Sequence, residues 1–257
     1  MFGDVIVPLD GSDESVRALG PASAIARCLN VTLHIASYHQ PASDGLELRQ
    51  WVDQQVEPFA GVERQCTIEP ASEPVSEMLL DLLAAKPASL VVMSTHGRGR
   101  SAALLGSVAT ELLHDGRAPV LLFGPNVEAG RFRLHGPMVV AVSAEESSEA
   151  IVPIVEAFTA NFDLIPEVVT VADGFDGAAA AEQAAREIGE ATGKTIAHQV
   201  LAAEDPAKAL VAHADETGAV LLALATRAET GASRMLHGSV TANTVAHASC
   251  PVLAYRA

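Results

Sequence analysis

Apolar residues in this chain gather into short unbroken blocks, and the stretches between them carry apolar positions every three or four residues. The blocks predict strands, and the spaced stretches predict amphipathic helices. Leu90-Val91-Val92-Met93 has no alternation with polar residues, as expected of a strand buried on both faces of a parallel sheet. On this pattern strands fall at residues 4–9, 31–37, 66–68, 90–93 and 119–123, with helices at 14–28, 46–59, 75–85 and 106–114. Gly20-Pro21 predicts a kink or a late start in the first helix, and Pro74 opens another, where its missing N–H costs nothing. The order then begins again, with strands at 138–142, 166–171, 196–200, 220–224 and 251–255 and helices at 145–158, 178–192, 206–216 and 238–247. Such alternation predicts two tandem doubly wound α/β domains, each a parallel sheet flanked by helices.

The two halves also repeat in sequence. Gly106-Ser107-Val108 is followed, thirteen residues after its glycine, by Pro119-Val120-Leu121, and Gly238-Ser239-Val240 is followed at the same distance by Pro251-Val252-Leu253. Glu73-Pro74 matches Asp205-Pro206 at the same offset of 132 residues, Ile6-Val7 matches Val139-Val140 at 133, and Thr95 matches Thr226 at 131. Collinear matches with small drifts mark a duplicated unit of roughly 125 residues, one domain in size. Domains are therefore expected at 1–125 and 137–257, joined by a Gly-rich, charged linker at 124–136.

Composition narrows the classes. A chain of 257 residues with 49% hydrophobic content has ample material for two cores. The net charge of -16 is shared evenly, with eight Lys/Arg against sixteen Asp/Glu in residues 1–128 and the same numbers in the rest. No half is basic, so a nucleic-acid partner is not expected. No long uncharged apolar stretch predicts a membrane span, and the start runs into strand-like sequence rather than a signal peptide. Three scattered cysteines (Cys28, Cys66, Cys250) read as small buried hydrophobes in a reducing, cytoplasmic setting rather than as a disulfide framework. The remaining histidines show no metal-ligand spacing, His34 reads as a packed structural residue, and Trp51 as packing for a helix face.

Chemistry concentrates at two strand ends of the first half. Open α/β sheets bind ligands beyond the carboxyl ends of their strands, where strand order reverses. The first strand ends at Asp10-Gly11-Ser12, and the fourth runs into Ser94-Thr95-His96-Gly97-Arg98-Gly99-Arg100 before Gly106-Ser107 opens a helix. Glycines let backbone N–H groups face an anion, and a helix N-terminus adds unpaired donors, so phosphate is the natural guest. A carboxylate such as Asp10 suits a ribose instead. A plain strand-to-helix turn capped by serine is the bland reading of the same residues.

Val7-Pro8-Leu9-Asp10-Gly11-Ser12, His34-Ile35, Glu73-Pro74 before a helix, Ser94-Thr95-His96-Gly97-Arg98, Leu105-Gly106-Ser107-Val108 and Ala118-Pro119-Val120-Leu121 together resemble the universal stress protein family in its tandem-domain form. The resemblance covers nearly the whole chain. It implies a five-stranded parallel sheet in each repeat, ATP binding in many members and stress-linked regulation. It also implies that the two repeats pair with each other as two single-domain copies do, and it allows a further homodimer. The cofactor it implies is ATP, with ADP or AMP as variants and Mg²⁺ accompanying them. Carried onto this chain, the resemblance places Asp10 at the ribose, the Ile35 backbone at adenine, and His96, Gly97, Gly106, Ser107 and Val108 around the phosphates. Arg98 would screen their charge, and Pro8, Leu9, Met93 and Ser94 complete the cofactor-binding set.

The family's motif is Gly-x-x-Gly, nine residues, then Gly-Ser or Gly-Thr. Here Ser94 stands at the first glycine, and eight residues separate Gly97 from Gly106. The second half departs further: Ser143-Ala144 replaces Asp10-Gly11, Ala225-Thr226-Arg227-Ala228 replaces Ser94-Thr95-His96-Gly97, and Glu229 stands where Arg98 does. A carboxylate beside a phosphate is repulsive. The expectation is a nucleotide site in the first half, a degenerate one in the second, and at most slow ATP hydrolysis. Two other readings compete: a nucleotide-independent interaction protein with vestigial pockets, and an adenylating enzyme using Gly11-Ser12-Asp13-Glu14-Ser15, which leaves Gly97 and Gly106 unexplained. The last strand of each half (119–123, 251–255) is expected at a sheet edge, open to a partner.

Overall fold

The computed structural model describes residues 2–95, 105–143, 150–172, 175–226 and 240–256. In the first repeat β1 (Asp4–Pro8) lies between β2 (Thr32–His39) and β4 (Ser89–Ser94), all parallel. Strand β3 (Arg64–Pro70) flanks β2, and β5 (Val120–Phe123) flanks β4. The second repeat copies this order with β6 (His135–Val142), β7 (Asp163–Val171), β8 (Ala197–Leu201), β9 (Leu221–Thr226) and β10 (Val252–Arg256). Every residue of β4 is buried, which accounts for its unalternating apolar sequence.

The last strand of each repeat lies at the edge of its own half-sheet, and the two edges take each other as partners. Strands β5 and β10 pair antiparallel, Leu121 opposite Leu253, and join the repeats into one ten-stranded sheet ordered β3-β2-β1-β4-β5-β10-β9-β6-β7-β8. The outer edges are β3 and β8. Both apolar strands would otherwise leave backbone groups unpaired beside wholly buried side chains, so pairing them removes two costs at once.

Helices cover both faces. On one side lie α2 (Leu19–Leu29), α3 (Leu46–Val56), α6 (Val152–Asn161) and α7 (Phe175–Thr192), packed on Val5, Val7 and Val140. On the other lie α4 (Val75–Ala85), α5 (Ser107–Asp115), α8 (Pro206–Thr217) and α9 (Val240–His247), packed on Ile6, Val91 and Val139. The period-two alternation of β1 and β6 divides these two cores. Trp51 packs, partly buried, against the first of them.

Local chemistry sets several boundaries. The expected first helix is split into α1 (Asp13–Val16) and α2, and Pro21 falls in the first turn of α2, where no N–H is required. Asp205 caps α8 by accepting from the Lys208 N–H at 3.2 Å. Strand β6 begins at His135, inside the stretch that composition marks as linker, because its early residues pair with β7 from Asp163 onward. The cysteine expectation also needs amending: Cys250 is buried, and burial pushes its thiol up to about 12, but Cys28 and Cys66 are exposed. None forms a disulfide.

The repeats meet closely behind β5. Asn126 donates to the carbonyls of Ala246 (3.3 Å) and His247 (3.2 Å) at the end of α9, and a Cβ on Gly124 would lie 2.1 Å from the Val245 carbonyl oxygen. Gly124→Ala is therefore expected to destabilise the protein by about 1–3 kcal/mol, the usual cost of overpacking. Urea unfolding reads this directly, and an unchanged midpoint would contradict so close an approach.

Candidate functional site

Strand order reverses between β1 and β4, and a cavity of about 270 Å³ opens at their carboxyl ends. Its walls come from five elements, with Ser15 of α1 as a sixth contributor. Pro8, Leu9 and Asp10 close the end of β1, Ala36 and Tyr38 come from β2, and Val75 and Leu79 from α4. Met93, Ser94 and Thr95 end β4, and Gly106, Ser107, Val108 and Ala109 bring the start of α5.

The β1 side is held by a turn. Gly11 has φ +82°, a conformation costly for any residue with a Cβ. The Asp10 carboxylate accepts from the Ser12 N–H at 3.0 Å and from the Ser12 hydroxyl at 2.5 Å. Ser12 Oγ in turn accepts from the Ser15 N–H at 3.3 Å, capping α1, and the Ser15 hydroxyl donates to the Ser12 carbonyl at 2.8 Å. Asp10 is thereby presented, exposed, at the cavity mouth.

On the β4 side the Thr95 N–H donates to the Phe123 carbonyl (3.2 Å), and the Gly106 N–H donates to the Thr95 carbonyl (2.9 Å). The chain thus leaves β4 and returns to α5 at one pinned point. A Cβ on Gly106 would stand 3.1 Å from the Thr95 oxygen, so glycine suits this approach. Among the described residues no side chain caps the first turn of α5. Its leading N–H groups and partial positive charge face a space lined by Ser107 and Val108.

Of the residues expected to form the site, Pro8, Leu9, Asp10, Met93, Ser94, Gly106, Ser107 and Val108 line this one cavity. Ile35 does not; its side chain is wholly buried on the opposite face, and Ala36 beside it lines the cavity instead. His96, Gly97 and Arg98 lie outside the described residues, as do Gly99 and Arg100. Ala144, Arg227, Ala228, Glu229, Gly238 and Ser239 of the second repeat lie outside them too. Tyr38, Val75, Leu79 and Ala109 were not anticipated, because ordinary core positions carry no mark of chemistry. Among the described residues no group of three His, Cys, Asp or Glu could hold a metal ion.

His34 sits on the same sheet face as Ala36, one alternation further from the strand end. Its Nε2 is 2.8 Å from the Thr67 hydroxyl, and it is 5% exposed. Burial holds its imidazole below the ordinary value, the Lys86 ammonium adds to this, and Asp4 opposes it. Lys86 and Asp4 are themselves paired at 2.9 Å. His34 is a structural residue of the core.

The model of the universal stress protein family matches the chain twice, over residues 1–124 and 137–256. A curated relative from Thermus aquaticus, the universal stress protein in QAH/OAS sulfhydrylase 3'region, is 28% identical over 136 residues, 48% of this chain and 98% of its own length. Two solved structures share the fold along the whole chain. A universal stress protein candidate from Pseudomonas aeruginosa UCBPP-PA14 has a TM-score of 0.72 at 16% identity, covering 99% of this chain and 93% of that one. A universal stress protein from Archaeoglobus fulgidus DSM 4304 has 0.69 at 19%, covering 98% and 96%.

The His34 environment makes a signed prediction. The unfolded chain binds the proton more readily than the folded one, so this contribution is full above about pH 6.5 and is lost as pH falls below it. Urea midpoints measured across that window should decline less steeply for His34→Gln than for the parent. Equal slopes would refute the assignment.

Proposed function

The chain belongs to the universal stress protein family, and from that premise we propose that its N-terminal repeat is a regulatory module that binds an adenine nucleotide. The observation that carries this reading is the cavity at the β1/β4 reversal, with a carboxylate at one side and, at the other, a helix start that no described side chain caps. The two sides ask for opposite things. Asp10 accepts hydrogen bonds and suits the hydroxyls of a ribose. The N–H groups of α5 donate, and suit phosphate. Between them Ala36, Val75, Leu79 and Met93 offer an apolar slot for a flat base. At about 270 Å³ the enclosed volume lies just under the usual range of about 300–1,000 Å³ for ligand pockets. That suits a base and its sugar, with the phosphates running along the start of α5.

The protein is a sensor rather than an enzyme in this reading. Asp10 is the only acid among the described lining residues, so nothing there supplies a paired base and metal ligand for rapid hydrolysis. Any turnover of ATP is slow. Binding is also one-sided, because Ser143 and Ala225 replace Asp10 and Ser94 in the second repeat.

Calorimetric titration with ATP, with and without Mg²⁺, tests the proposal alongside identification of any nucleotide that co-purifies. At most one nucleotide per chain is expected. Asp10→Ala should weaken binding by about tenfold or more, the worth of hydrogen bonds to a charged acceptor. Two nucleotides per chain would contradict the one-sided reading. No binding at millimolar ATP would favour a nucleotide-independent interaction protein.

A further inference from the structure

Tyr38 carries the only aromatic ring among the described residues that line the cavity. It is the next residue after Ala36 on the same face of β2. It packs, partly buried, against the core that contains Ala36, Leu79 and Met93. Burial pushes its phenol up from the ordinary value, and the carboxylates of Glu69 and Asp81 add to this, so the hydroxyl keeps its proton at neutral pH. The second repeat has no ring at this position. Val7 and Val140 are equivalent, their partners are Ile35 and Val168, and three residues on Tyr38 is matched by Val171.

The surroundings of Tyr38 indicate how a base would be read. Ala36, Val75, Leu79 and Met93 offer carbon and sulfur, which do not tell an amino group from a carbonyl. Tyr38 is the one polar side chain that β2 or α4 brings to the lining. Its hydroxyl both donates and accepts, and so serves a 6-amino or a 6-oxo group alike. Glu69 stands beside Tyr38 in register and Asp81 follows Leu79 on α4, but both are exposed, where water and salt screen their charge. A pocket of this kind rejects near-isosteres poorly. An aromatic face instead rewards the area stacked on it, and the two fused rings of a purine offer more than the single ring of a pyrimidine.

We propose that Tyr38 is the specificity-determining residue for the base: its ring stacks on the base, so that the site takes purine nucleotides as a class, with 6-amino and 6-oxo purines bound alike and pyrimidines bound weakly. This rests on the nucleotide reading given above and widens its ligand from adenine to purine nucleotides. It also separates the two repeats at a position outside the glycine motif.

The test is titration of the full chain, Tyr38→Phe and Tyr38→Val with ATP, ITP and CTP, with thermal melting to establish that each variant is folded. The parent should bind ATP and ITP within about threefold of each other, and CTP at least about tenfold more weakly. Tyr38→Val should lose about tenfold for both purine nucleotides and little for CTP, whereas Tyr38→Phe, which keeps the ring, should preserve the order of the parent. The chain has two tyrosines, so isotopic labelling of tyrosine reads the contact in the parent itself. ATP should shift the ring resonances of Tyr38 and leave those of Tyr255 in place, a result that holds even where Tyr38→Val does not fold. A preference of about tenfold for ATP over ITP, or equal losses for ATP and CTP in Tyr38→Val, would overturn the assignment while leaving the nucleotide reading intact. Tyr38→Phe losing as much as Tyr38→Val, or Tyr38 resonances unmoved at saturating ATP, would overturn it in the same way. If the parent binds none of the three, both readings fall.

Discussion

One antiparallel pairing organises the molecule. Strands β5 and β10 are the terminal strands of two parallel sheets, and Leu121 meets Leu253, its counterpart at the 132-residue offset. Val120 faces Ala254 and Leu122 faces Val252, so equivalent positions exchange partners about that central pair. A pseudo-twofold axis therefore runs through it. Because every other pairing within a repeat is parallel, this junction turns the strands of the second repeat the opposite way. The carboxyl ends of the two half-sheets face opposite directions. Each ligand crevice must be built wholly from its own repeat, and one can be lost without altering the other.

That freedom is visible at the floor of the site. Register equates Ile35 with Val168, through their partners Val7 and Val140, and so equates Ala36 with Val169. Val169 is wholly buried, and its two extra methyl groups stand where the first repeat keeps room. Val142 and Ser143 stand for Leu9 and Asp10, and Ala225 for Ser94. The floor residue is larger there, and the carboxylate and the hydroxyl are absent. The scaffold meanwhile persists, because β10 still has to cover β5.

Much of this was legible in the sequence, for reasons that can be stated. Buried parallel strands need continuous apolar blocks, and the blocks at 90–93 and 120–123 lie within strands the structure contains. Several residues that line the cavity, beside glycines and at strand ends, were legible too, because turns and helix starts restrict residue type. Three things were not. The register of β5 on β10 depends on residues far apart in sequence, so the edge position of each strand was legible but not which residues meet. Strand β6 starts in polar sequence because its first residues are ordered by β7 rather than by burial. Ala36 went unremarked beside Ile35, although strand parity places it on the face of Ile6 and Met93 and turns Ile35 towards Val7.

The second repeat has a further hold on the first. Arg17 follows α1, the short helix capped by the same Ser12 that fixes Asp10. Its guanidinium pairs with Glu14 at 2.9 Å and donates to the carbonyls of Gly124 (3.4 Å) and Val127. Gly124 is pressed against α9, and Asn126, between those two carbonyls in sequence, caps the end of the same helix. The turn presenting Asp10 is thus tied through one arginine to the segment on which the second repeat is seated. Removing that repeat would expose the β5 edge and also free the anchor of this turn. The duplicated domain contributes to the first site as its support, and that role makes no demand on its own strand ends.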